Sequence, residues 1–142
     1  MWNKLTRLRG MSGTERLLIA EAACFLGLAR FLIVLVPFRR IAPWLERRPR
    51  RRPTVPGPAL VRSVRRAVLT AARHVPWNAA CLPQAMAAKF MLARRGCPST
   101  LHLGVARKGA DDLIAHAWLE AGNAIVVGEP GVGAVTPIAR FG

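Results

Sequence analysis

Between Arg47 and Pro58 the chain sets four prolines (Pro49, Pro53, Pro56, Pro58) among arginines at positions 47, 48, 50, 51 and 52. Proline lacks a backbone N–H and its ring clashes with the preceding helical turn, so no regular helix crosses this stretch. Its composition predicts an extended linker. The 142 residues therefore divide into an apolar and basic N-terminal region over 1–46, a linker over 47–58, and a third unit over 59–142.

In the first region, Ser12-Gly13-Thr14-Glu15 has the spacing of a capping box and predicts a helix start. The apolar stretch from Leu17 to Phe38 has the length of a membrane span, but Glu21 and Arg30 interrupt it nine residues apart. At about 100° per residue they fall on opposite faces. The uncharged pieces Ala22 to Ala29 and Phe31 to Phe38 are too short to cross a hydrocarbon core of roughly 30 Å. A packed or interfacial helix is expected. Lys4, Arg7 and Arg9 ahead of apolar residues mimic a secretory signal, yet Glu21 breaks its core and stands three residues before Cys24, a poor lipoprotein context. The expected location is cytoplasmic. Arg39, Arg40 and the linker arginines would allow peripheral contact with the anionic inner face of the membrane.

Beyond the linker, Leu60, Val61, Val64, Ala67, Val68, Ala71, Ala72 and Val75 form one apolar stripe, with Arg62, Arg65, Arg66 and Arg73 on the remainder. That period is helical. A second helix is predicted through Gln84 to Arg95, with Pro83 in its first turn and Gly96 and Pro98 at its end. Strands are predicted around Leu101 to Ala106 and Leu113 to Glu120, joined by the polar turn Arg107 to Asp112. A third, Ala124 to Val127, follows Gly122-Asn123. The fold class is α+β: helices packed on a short antiparallel sheet, with an N-terminal helical extension.

Twenty-two Lys and Arg against seven acids give a formal charge of +15. Such a charge attracts nucleic acid, anionic lipid or an acidic protein without choosing among them. No RNA-binding or helix-turn-helix signature is present, and no nucleic-acid partner is expected. Three cysteines with no close pair fit a reducing compartment. The absence of a phosphate-binding loop or dinucleotide fingerprint predicts no cofactor.

The chemistry concentrates at Cys81 and His116. Cys81 opens the second predicted helix, where free backbone N–H groups and the positive end of the dipole favour a thiolate and can donate to an oxyanion. His116 lies on a strand with Trp118, facing away from Ala115, Ala117 and Leu119. His102 is the rival for the base. Cys24 and Cys97 read as small core residues, and His74 as a partner of its own helix's C-terminal carbonyls. A metal centre from Cys81, Cys97, His102 and His116 lacks the short pair spacing of usual zinc sites, and no metal is expected.

Several words in the third unit are similar to those of one family. They are Arg73-His74-Val75-Pro76-Trp77, Cys81-Leu82, Leu92-Ala93-Arg94-Arg95-Gly96, Leu103-Gly104-Val105 and Ala115-His116-Ala117-Trp118-Leu119-Glu120. From about Val61 to Phe141 the chain resembles the B2 leader peptidases of lasso-peptide biosynthesis, which have a transglutaminase/papain-like fold. The resemblance implies a cysteine endopeptidase with Cys81 as nucleophile and His116 as base. Its implied task is to remove the leader from a ribosomally made lasso precursor peptide, ahead of macrolactam closure by a separate ATP-dependent cyclase. It also implies a separate B1-type leader-recognition protein, because nothing before Ala59 has a strand-rich pattern. The family's usual Asp after the histidine is missing from Ala124 to Pro130, where Glu129 is the nearest carboxylate. Glu129 is thus the candidate third catalytic residue, with a backbone carbonyl or an amide as alternatives. Asp111 and Asp112 read as turn residues. The alternative to catalysis is a silent scaffold that binds precursor peptide or biosynthetic partners.

Overall fold

The computed structural model describes residues 10–45, 55–75, 81–107, 113–122, 124–128 and 135–141. Four helices lie in these segments: α1 (Gly13–Leu35), α2 (Phe38–Leu45), α3 (Pro58–His74) and α4 (Cys81–Arg94). Four strands follow: β1 (Thr100–Arg107), β2 (Leu113–Ala121), β3 (Ala124–Val127) and β4 (Val135–Phe141). The fold is α+β, with helices packed on a small antiparallel sheet of order β3-β2-β1-β4. Most of the expected linker, residues 47–54, lies outside the described residues, as does the turn at 108–112.

The capping box forms as the sequence predicts. Ser12 Oγ accepts from the Glu15 amide and the Glu15 carboxylate accepts from the Ser12 amide, each at 3.3 Å. At the other end of the helical layer, α4 stops in a Schellman turn. The Cys97 amide donates to the Leu92 carbonyl and the Gly96 amide to that of Ala93. Gly96 takes φ +73°, which costs a residue without a Cβ nothing.

One core joins the helices to the sheet. Ala22, Leu26 and Ala29 of α1 pack with Val64, Val68 and Ala71 of α3, and with Ala85, Met86, Met91 and Leu92 of α4. Leu101, Ala117, Leu119, Val126 and Val127 close it from the sheet. Each fully buried leucine here contributes about 1.5–3 kcal/mol by removal of apolar surface from water.

Glu21, the charge that interrupts the apolar helix, has a partner across the core boundary. Its carboxylate accepts from Arg95 at 2.8 and 2.9 Å and from Arg94 at 3.0 Å, tying α1 to the end of α4. The Arg95 hydrogen bonds hold its carboxyl below the usual glutamate range against the opposing effect of burial. The helix α1 is long and apolar enough to cross a membrane by composition, yet this acid and the Ala22, Leu26, Ala29 row bind it into the domain. Its opposite face stays open: Leu17, Leu28, Phe31 and Leu35 are exposed. Cys24 lies on that open face, which corrects its expected core position. Cys97 is buried, and burial pushes its thiol up.

A buried lysine fixes the entry to the sheet. Lys89, on α4, donates to the Ser99 carbonyl and reaches Ser99 Oγ at 3.5 Å. Desolvation pushes its pKa down to about 8.

The strand β4 was not expected. Pro137 breaks the alternating pattern by which strands are recognised, and a proline cannot donate to a ladder. It is admitted because β4 is an edge strand, and the register against β1 slips where Leu103 pairs with Ala139 and Gly104 with Pro137. That slip is a β-bulge of the kind that edges tolerate.

Candidate active site

The helix α4 carries Cys81 as its first residue, half-buried against the core and free of any disulfide. Residues 76–80, which lead into it, lie outside the described residues. α4 packs against β2, the strand that carries His116.

The alternation of β2 sends Ala117, Leu119 and Ala121 into the core, and His116, Trp118 and Glu120 to the other face. Across the ladder, His116 pairs with Gly104, Trp118 with His102 and Glu120 with Thr100. Gly104 leaves the position opposite the His116 imidazole without a side chain. Trp118 stands between the two histidines. Its ring stacks on His102 with centroids 5.1 Å apart and 10° between planes, and it tilts against His116 at 6.0 Å.

The imidazole of His116 is held through one nitrogen. Nε2 lies 2.9 Å from the carbonyl oxygen of Gly128. A carbonyl only accepts, so Nε2 carries the hydrogen, and in the neutral ring Nδ1 carries the lone pair. The base position of the ring is therefore Nδ1. Gly128 follows β3 directly and takes φ +77°. A Cβ there would collide with the Ala117 carbonyl oxygen and lie 3.0 Å from Trp118 Cα. Only glycine brings this carbonyl so close to β2.

His102 is engaged differently. Its Nε2 lies 3.2 Å from Glu120 Oε2, but off the direction of a hydrogen bond, so the nitrogen is buried without a directed partner. The two side chains are close without a hydrogen bond between them. His74 bonds back to the Thr70 carbonyl at 2.7 Å within α3, as its position at a helix end predicts. Glu129 lies outside the described residues. Among the described residues no hydrogen bond joins Cys81 to His116, and no three His, Cys, Asp or Glu side chains gather as a metal site. Nucleophile–base contacts are commonly loose without substrate and tighten when it binds.

Sequence reasoning left a backbone carbonyl open as the orienting group but did not locate it. A carbonyl carries no side-chain signature. The available signal is a glycine directly after an apolar strand, which marks close backbone approach.

The sequence pattern of the transglutaminase-like superfamily matches residues 24–140. The chain belongs to that superfamily, which includes cysteine peptidase-type folds. No curated protein and no solved structure matches it.

Proposed function

We propose that the chain is a cysteine endopeptidase that removes the leader from a lasso precursor peptide. The observation that carries this reading is the His116 ring, fixed through Nε2 by the Gly128 carbonyl so that Nδ1 is left as base. It sits on a strand packed against the helix that Cys81 opens. In the proposed reaction, Cys81 Sγ gives its proton to His116 Nδ1 and attacks the scissile carbonyl carbon. The C–N bond breaks as the imidazolium protonates the departing amine, leaving the leader as a thioester on Cys81. Water, deprotonated by the same nitrogen, releases the leader with a terminal carboxylate and restores the thiol. The core peptide leaves with a free N-terminal amine, the group a separate cyclase needs for macrolactam closure.

Incubation of the chain with its precursor and a B1-type leader-recognition protein tests this by mass spectrometry. Two fragments whose masses sum to precursor plus one water are expected. A precursor that stays intact while bound would favour the scaffold alternative.

The open face of α1 supports peripheral placement on an anionic membrane surface. Phe31 and Leu35 are 56% and 62% exposed, and the exposed Arg39 and Arg40 follow four and five residues after the helix end. Apolar insertion beside cationic residues is the pattern of interfacial helices. Phosphatidylglycerol vesicles should sediment the chain, phosphatidylcholine vesicles should not, and a Phe31→Ser/Leu35→Ser variant should stay in solution. Wild-type chain left in the supernatant by both lipids rejects this placement.

A further inference from the structure

A groove of about 660 Å³ opens between the first turns of α1 and the outer face of α3. Leu18, Ile19 and Leu69 give it an apolar floor, and Arg62, Arg66 and Arg73 stand along it. The three arginines are exposed. They occupy one face of α3 at i, i+4 and i+11, a row of about 16 Å at 1.5 Å per residue. Glu15 is the one acid in the lining: its carboxylate accepts from the Ser12 amide and lies 3.8 Å from Arg66 of the row, leaving Arg62 and Arg73 as the row's outer charges. Arg66 keeps 74% of its side chain exposed despite that contact. A concave site of this size with an apolar floor and cationic side chains on one side suits a ligand that is both apolar and anionic.

We infer that this groove binds an acidic peptide segment, with carboxylates on the arginine row and apolar side chains between them on the floor. A row of about 16 Å matches roughly five residues of extended chain, at about 3.3 Å each. Nucleic acid is the poorer fit because its bases need stacking surfaces, and this floor is aliphatic. The groove lies on the α3-facing side of α1, opposite the open apolar stripe. The inference stands apart from the peptidase reading, since neither α1 nor α3 carries Cys81 or His116.

The test is fluorescence polarisation with the full chain and a fluorescein-labelled peptide, Glu-Leu-Glu-Leu-Glu. The Arg62→Glu/Arg73→Glu variant should bind it at least about tenfold more weakly, as expected from reversing two of the charges that face the peptide. The Lys-Leu-Lys-Leu-Lys peptide should bind that variant better than it binds the wild type. Both residues are exposed, so circular dichroism should report an unchanged fold. Equal binding of the acidic peptide by wild type and variant overturns the inference. So does tighter binding of a ten-nucleotide single-stranded RNA, or of phosphatidylglycerol vesicles, with the same dependence on Arg62 and Arg73.

Discussion

Replacing Cys81 with alanine should lower kcat/KM for precursor cleavage by at least about 10⁴-fold, the scale lost when a covalent nucleophile is removed. The fold should survive. Cys81 is only half-buried and makes no disulfide, so its thermal midpoint should move by a few degrees at most, the scale of a change below about 1 kcal/mol. Iodoacetamide supplies an independent readout, provided Cys24 is removed first. Because Cys24 is exposed on α1, it competes for the reagent on access alone. In a Cys24→Ser background, Cys81 should take the label and Cys97 should not. Cys97 is protected by burial, which also pushes its thiol up. Cleavage by the Cys81→Ala variant at the wild-type rate would remove Cys81 from the mechanism. A Cys24→Ser chain that labels Cys97 as fast as Cys81 would remove the argument from position.

Much of this fold was legible because its elements obey strong local rules. The capping box at Ser12 and Glu15, the glycine stop at Gly96 and the apolar stripe from Val61 to Ala71 each specify one conformation by local chemistry. Alternation along β2 likewise separated the Ala117 and Leu119 face from that of His116 and Trp118. What escaped depends on partners distant in sequence. Glu21 reads as an interruption of an apolar helix, and its meaning comes from Arg94 and Arg95, more than seventy residues away. Cys24 was assigned to the core because its neighbours are apolar, but α1 buries only one side, and the other is covered by nothing among the described residues. β4 was hidden by Pro137, whose tolerance follows from an edge position that only the assembled sheet defines.

The site divides along the same line. Residue type and local word bring out Cys81 and His116. Trp118 has a visible place beside His116, yet its contact with His102 is a cross-strand pairing that no local word reveals. That pairing also supports His116 over His102 as the base. His102 is covered by Trp118 and lies next to the Glu120 carboxylate, whereas His116 faces Gly104 and is held at one nitrogen only.

Gly128→Ala should therefore damage catalysis without touching either member of the proposed Cys81–His116 dyad. The substitution forces a Cβ into a backbone with φ +77°, a conformation that costs an L-residue roughly 1–2 kcal/mol. The larger effect is steric, because the obstacles are the Ala117 carbonyl and Trp118 Cα, which are main chain and cannot rotate away. The end of β3 must shift, and the carbonyl that fixes His116 Nε2 shifts with it. A misplacement of this order costs about 100-fold in rate, expected here in kcat more than in KM because in the proposed mechanism the ring acts on the reacting bond. Nitrogen-15 NMR of the imidazole gives a readout that a merely structural role would not move: hydrogen on Nε2 in the wild type, and a tautomer mixture in the variant. Glu129→Gln is the companion. If the Gly128 carbonyl orients the ring, losing the neighbouring carboxylate should change kcat by less than about threefold, since the wild-type tautomer is set without it. A Glu129→Gln chain that folds but loses turnover, beside a Gly128→Ala chain that keeps it, would transfer the orienting role from the carbonyl to the carboxylate.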